Sequence, residues 1–312
     1  LSTSSAPASS PAAAAPPADK PPMSNLSQRL IFGLIGAALL LGSVWYSAWT
    51  FALFFAVVQV KMLLEFYRMM RQAGYKPAAM LGGTISVLLF ASVAALTDFR
   101  SLANHTLPAS VSDLQQLRLL AAGLIVLLPV ILILREMYAW PRENQPFSPF
   151  ANVGVALLGL LYVSLPMSLL HVVAFSGTGY DYRRIFALLF LVWSSDIGAY
   201  AAGKTLGKHK LAPKISPGKT WEGAVGGFVL TLVVGYLLGY LLPELSLTYR
   251  LVVAGVVAVF GPLGDLAESM LKRSVGVKDS GRIMPGHGGL LDRFDAFLFI
   301  LPVLAVLRLL WS

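Results

Sequence analysis

The sequence predicts an all-α polytopic integral membrane protein of about nine transmembrane helices, with its reactive groups gathered at the cytoplasmic face. Three observations predict this class. Of 312 residues, 56% are hydrophobic and only 12% are charged, whereas a soluble domain carries about 25% charged residues. Mean hydropathy is +0.72. Finally, the apolar residues fall into stretches of the ~20 residues that a spanning helix needs. A chain so poor in charge has no means of covering a water-facing surface.

Taken in order, residues 1–25 form an Ala/Pro/Ser-rich tail with no apolar periodicity to bury, and the expectation is disorder. The tail lacks both the basic start and the apolar core of a signal peptide. Residues 26–180 hold about five spans, near 30–48, 50–70, 78–97, 119–138 and 152–175. Residues 181–312 hold about four more, near 185–203, 222–242, 249–271 and 290–311, and with them two basic loops. The second span is the weakest, because Lys61, Glu65 and Arg68 share one helical face. The expectation there is a helix end that snorkels to the interface, with Lys61 and Glu65 as an i,i+4 pair. There is no cysteine, so disulfides and thiolate metal sites are excluded.

Orientation follows the lysines and arginines. With the N-terminus cytoplasmic, the opposite side collects Arg100, Arg118, Arg183, Arg184, Arg250 and Arg308, and nearly all the other bases fall on the cytoplasmic side. The loops 204–219 and 272–282 supply most of that excess. The sequence therefore predicts a multi-pass protein of the cell (inner) membrane, with its N-terminus and its reactive face in the cytoplasm.

Carboxylates in membrane spans are expensive and mark function by default. Asp196, Glu222, Asp265, Glu268, Asp279, Asp292 and Asp295 crowd the last 120 residues, beside the two basic loops. Asp265, Glu268 and Lys272 stand at i, i+3 and i+7 on one helical face, and Asp292 and Asp295 at i and i+3 on the next. A glycine-rich loop with Gly276, Gly281, Gly286, Gly288 and Gly289 joins the two faces. Such a turn can bring the acids to a common centre. All-oxygen ligation suits Mg²⁺, and the adjoining cations suit a polyphosphate. Some of these acids, Glu268 and Asp279 among them, are expected simply to pair with neighbouring bases. His287, flanked by Gly286 and Gly288, reads as a loop hydrogen-bonder or phosphate donor rather than a catalytic base.

The run from Ser269 to Asp295 resembles the signature of the phosphatidate cytidylyltransferases, the CDP-diacylglycerol synthases. Ser269, Lys272-Arg273, Lys278-Asp279, Gly281, Pro285, His287-Gly288-Gly289, Asp292-Arg293 and Asp295 all stand at its fixed positions. The stretch 193–227 is similar to a second block of that family. The resemblance implies a reaction in which CTP and phosphatidate yield CDP-diacylglycerol and pyrophosphate with Mg²⁺, for phospholipid biosynthesis. It also implies a homodimer, the lipid bilayer as setting and no nucleic-acid partner. By position it makes Asp265 and Asp292 the principal metal ligands, with Asp295 and Asp196 near the centre and a second cation as an option. Asp265, Asp292, Asp295, Lys272 and Arg273 become the catalytic set, and Lys204, Lys278, His287, Gly288 and Arg293 join the substrate phosphates. Competing readings are a CTP-dependent nucleotidyltransferase for another lipid phosphate and a cation-coupled transporter.

One further motif bears on phosphate. Residues 212–223 read APKISPGKTWEG, and Gly218-Lys219-Thr220 looks like the end of a Walker loop. That pattern needs glycine five positions earlier, where Pro213 stands. The expectation is a different phosphate-handling wall, made of Lys214, Ser216, Gly218, Lys219 and Thr220 at the start of a helix whose N–H groups favour anions.

Overall fold

In the computed structural model, residues 25–106, 111–141, 146–176, 179–281 and 288–311 are described. The Ala/Pro/Ser-rich segment 1–24 and the loop residues 282–287, which include His287, lie outside that set. Helices α1 (Asn25–Tyr46), α2 (Ala48–Gln72), α3 (Ala79–Thr106) and α4 (Val111–Tyr138) come first. A fifth crossing, 149–174, is built of α5 (Pro149–Gly159), a π-helical turn (Leu160–Ser164), α6 (Leu165–Ser168) and α7 (Leu170–Ala174). A hairpin of β1 (Phe175–Ser176) and β2 (Gly179–Tyr180) leads into α8 (Tyr182–Leu206). A second hairpin, β3 (Lys210–Ala212) and β4 (Ser216–Thr220), precedes α9 (Trp221–Leu237), α10 (Leu247–Ser274) and α11 (Leu291–Trp311).

Among the described residues, seven helices are long and apolar enough to cross a membrane. They match seven of the expected spans. The other two, near 30–48 and 119–138, fall on α1 and α4; the described apolar part of α1 is the shorter Ile31–Tyr46. Helices dominate because hydrocarbon offers the backbone no partner, so each N–H must bond within its own segment. Local chemistry sets their starts. Ser47 and Thr50 form a capping box on α2, each side chain accepting from the other's backbone N–H at 3.1 Å. Asp181 and Ser246 cap α8 and α10, accepting from Arg183 N and Tyr249 N.

The core runs between α2, the fifth crossing and α11, with Phe51, Phe55, Met62, Phe66, Leu160, Met167, Phe297 and Leu301 all buried. A polar thread stitches it. Gln59 donates to the Ser86 carbonyl and hydroxyl at 2.9 Å, Ser168 donates to Gln59 at 3.1 Å, and Ser164 donates to Ser86 at 2.8 Å. Such interhelical bonds contribute about 0.6–2 kcal/mol each in membranes. Helices α8 and α9 pack backbone to backbone: a Cβ on Gly198 would lie 2.7 Å from the Gly226 carbonyl, and one on Gly227 would lie 2.7 Å from the Ser195 carbonyl. Small residues permit this approach, and it brings α8 and the β3–β4 hairpin alongside α10.

Candidate active site

Helix α10 carries Asp265, Glu268 and Lys272 down one face, and α11 opens with Asp292 and Asp295. The two helices meet where α10 has no side chain: a Cβ on Gly264 would stand 2.6 Å from the Asp295 carbonyl. That close crossing draws the acids together. Carboxylate oxygens of Asp265, Glu268 and Asp295 all lie within 4.8 Å of one another. Asp196 of α8 joins them, within Coulombic reach of Asp265 and Asp295. Three negative charges this close repel one another strongly, so the arrangement calls for cations.

One cation comes from the hairpin. Lys219 Nζ lies 2.7 Å from Asp265 Oδ2 and donates to the Pro262 carbonyl at 3.2 Å. Another is Lys272, whose ammonium bridges Glu268 Oε2 and Asp292 Oδ1, the latter at 2.7 Å. Glu268 is fully buried, and neither of its oxygens accepts a hydrogen bond of ordinary geometry. The expected Glu268–Lys272 pair is present, but Glu268 also belongs to the acid cluster.

Asp292 is held differently. It accepts from Gly289 N at 2.7 Å, from Ser280 N at 3.0 Å and from Ser280 Oγ at 2.9 Å, in addition to Lys272. Gly288 has a φ of +81°, a conformation suited to glycine, and a Cβ there would lie 2.6 Å from Asp292 Oδ2. The loop glycines thus make room for a carboxylate.

They make room for a second one that the sequence reading misjudged. Glu65 of α2 is not a snorkelling surface residue paired with Lys61. Its side chain is buried and accepts from Leu290 N at 3.1 Å, Leu291 N at 2.8 Å and Ser280 Oγ at 3.3 Å. Added side chains at Gly281 and Gly289 would run into it. Glu65 therefore caps α11 from another helix, meeting N–H groups that the helix itself leaves unpaired and the positive end of its dipole. The available signal was the apolar company of Glu65 (Met62, Leu63, Phe66 and Met69) on a face too greasy to meet water.

Beside the acids lies a cavity of about 410 Å³ lined by Asp196, Tyr200, Lys204, Gly218, Lys219, Thr220 and Asp265, among others. Gly218, Lys219 and Thr220 of the hairpin thus form one wall of this cavity. Thr220 is nevertheless occupied as the N-cap of α9, its hydroxyl accepting from Gly223 N at 3.1 Å. Lys204 sits over the Tyr200 ring, Ser216 is half-buried and Lys214 is exposed at the hairpin turn. Arg273, Lys278 and Arg293 are exposed on the side of the signature loop, and Arg273 donates to the Val277 carbonyl at 3.2 Å. No side chain of these three lines the cavity.

The donor set fits a hard divalent cation. It is all oxygen, it is clustered, and it includes a fully buried carboxylate, Glu268; Mg²⁺ favours such a set.

Comparison with known proteins agrees with this geometry. The chain matches the model of the Cytidylyltransferase family over residues 27–311. It is similar to proteins named phosphatidate cytidylyltransferase. That of Staphylococcus haemolyticus is 36% identical over 258 residues, covering 75% of this chain and 93% of the relative. That of Staphylococcus saprophyticus is 41% identical over 198 residues, 63% of this chain and 70% of the relative. That of Bacillus subtilis is 45% identical over 165 residues, 52% of this chain and 61% of the relative. A match that runs through both the acid-bearing helices and the α2 segment that anchors them places the whole membrane region in one lineage: the chain belongs to the cytidylyltransferase family.

Proposed function

We propose that the protein is a CTP:phosphatidate cytidylyltransferase, transferring CMP from CTP to phosphatidate with release of pyrophosphate. The observation that carries this reading is the cluster of Asp265, Glu268 and Asp295, with Lys219 against it, at one end of a membrane bundle. A phosphatidate oxygen attacks the α-phosphorus of CTP; the new O–P bond forms as the α–β bridge breaks, and pyrophosphate leaves with the bond electrons. The nucleophile is a phosphomonoester with a second pKa of about 6, so it is largely ionised and needs no strong base. Carboxylates and lysines, rather than a side-chain nucleophile with its own base, suit such a reaction. The task left to the protein is to hold two polyanions together and to neutralise the leaving group.

In this reading Asp265, Asp295 and Glu268 would hold Mg²⁺, with Asp196 at the edge. Asp292, which lies beside Glu268 and is held by Lys272 through Oδ1, would be a further ligand. The cation supplies charge neutralisation at the phosphates. Lys219 and Lys204 face the CTP phosphates in the cavity, with Ser216 and Gly218 lining the approach and Lys214 drawing the anion to the hairpin turn. Lys272 stands between Glu268 and Asp292, where it could also meet a substrate phosphate; Arg273, Lys278 and Arg293 supply a positive rim, and Gly288 and His287 are assigned to the substrate phosphates by the resemblance alone. The N-terminus and the site face the cytoplasm, where CTP is dissolved, and the lipid substrate never leaves the bilayer. Pairing of two copies, which the resemblance implies, is a further part of this reading and is testable by cross-linking in membranes.

The test is incubation of purified protein with labelled CTP, Mg²⁺ and phosphatidate. Formation of a lipid-linked cytidine nucleotide with stoichiometric pyrophosphate is expected. Its absence beside an active control enzyme overturns the reading, and product with another lipid phosphate but not phosphatidate reassigns the acceptor.

A further inference from the structure

The three helices that carry Asp196, Asp265 and Asp295 each carry an arginine farther along. Arg184 lies 12 residues before Asp196, Arg250 lies 15 before Asp265, and Arg308 lies 13 after Asp295. At 1.5 Å per residue these separations are about 18, 22 and 20 Å, so the arginines gather at the end of the bundle opposite the acids. They line one cavity of about 60 Å³. A site of that size has room for a few waters or a single phosphate group.

Apart from Tyr249, the rest of the cavity wall is apolar, with Val173, Leu188, Leu191, Leu242, Val253 and Leu304. Guanidinium groups in such surroundings demand partners, and these are under-supplied. Nε of Arg184 and Nε of Arg250 are buried without a hydrogen bond. Among the described residues, Arg250 donates to the Tyr236 carbonyl at 3.3 Å, and Arg308 donates to the carbonyls of Val172 and Phe175. Two acids are near, Asp181 and Glu244, and both are engaged by Arg183 at 2.9 Å. Arg184 shares Asp181 only at 3.6 Å. Four arginines thus face two carboxylates among the described residues, leaving two positive charges over.

We propose that this cavity is a second lipid site, which takes the phosphate of an anionic phospholipid from the leaflet opposite the acid cluster. Planar guanidinium forks match phosphate oxygens. Leu238 separates the cavity from an outward groove between α8 and α9 lined by Phe190, Trp193 and Val234, which offers an acyl chain a place beside it. Exposed Tyr240 and Trp311 stand at the same end, as aromatic residues do at a headgroup boundary. The site does not depend on the proposed reaction, and it makes the enzyme's fold responsive to the anionic lipid content of its membrane.

Phosphatidylglycerol is the probe, because it tests the phosphate diester without being the proposed substrate. Purified full-length protein is unfolded thermally and weighed intact by native mass spectrometry, with phosphatidylglycerol, phosphatidylcholine or inorganic phosphate. Phosphatidylglycerol is expected to raise Tm by about 5 °C over phosphatidylcholine. In the Arg184→Gln/Arg250→Gln variant the shift is expected to vanish and the retained lipid adduct to fall at least tenfold, while Arg250→Lys keeps part of both. Equal shifts and adducts in wild type and variant overturn the proposal. A full shift from inorganic phosphate alone overturns the lipid assignment in favour of a free anion. Should the double variant not fold, a photoactivatable phosphatidylglycerol is cross-linked to the unmutated protein. Labelling within 182–191 and 236–253 supports the site, and labelling confined elsewhere overturns it.

Discussion

Replacing Glu65 tests how the distant N-terminal half governs the chemistry. Its carboxylate accepts three hydrogen bonds, two of them from the opening turn of α11. Glu65→Ala leaves Leu290 N and Leu291 N buried without a partner. At about 1–3 kcal/mol for each unsatisfied donor, the loss is about 2–6 kcal/mol; Ser280 still has Asp292 and adds little. At about 2 °C per kcal/mol for a chain of this size, Tm falls by roughly 4–12 °C. Glu65→Gln is the more telling variant. It preserves shape and size but turns one acceptor into a donor aimed at an N–H, so it is expected to lose at least half as much stability as Glu65→Ala. Because the same turn carries Asp292 and Asp295, kcat is expected to drop more than tenfold in both variants while KM for CTP moves little. Turnover is measured as lipid-linked cytidine, and the loop as deuterium uptake over 275–291. A Glu65→Gln protein with wild-type Tm, turnover and exchange would refute the reasoning.

Four other outcomes follow from the site. Asp265→Asn is expected to abolish pyrophosphate release by more than a hundredfold with Tm preserved, since Asp265 is half-exposed and its partner Lys219 retains the Pro262 carbonyl. Asp292→Asn is expected to lose both activity and stability, because one of its oxygens becomes an NH₂ facing Lys272 or the Ser280 and Gly289 N–H groups; unchanged Tm would count against that lock. Lys219→Ala is expected to raise KM for CTP about tenfold, whereas Thr220→Ala should cost about 1 kcal/mol of stability as a lost cap and Thr220→Ser should restore it. The reverse pattern, in KM and Tm assays, would return Thr220 to the phosphate wall. Removing divalent cations with a chelator is expected to stop turnover and to be reversed by Mg²⁺; full activity in the chelator would eliminate the metal role.

Much of this was legible before any fold was seen. Charge poverty and apolar run length dictate spanning helices, because a bilayer leaves the backbone no other way to satisfy its polar groups. The i,i+3 spacing of Asp292 and Asp295 and the i,i+3,i+7 spacing of Asp265, Glu268 and Lys272 place each set on one helix face. The glycine-rich loop between them announces a tight return. Pro213 stands where a Walker loop needs glycine, and Lys219 reaches Asp265.

What the sequence could not decide is which charges meet across helices. Helical spacing tells which residues share a face, but the rotation of one helix against another depends on packing of the whole bundle. Gly264 lets α10 and α11 close until Asp265, Glu268 and Asp295 share a centre, while Asp292 turns to the loop. Glu65 lies more than 200 residues from the turn it caps, and no local pattern joins them. Composition and spacing therefore determined the class, the spans and the residue types of the site. The tertiary structure alone decided the partners, because a carboxylate buried in a membrane takes its role from whichever donors the fold brings to it.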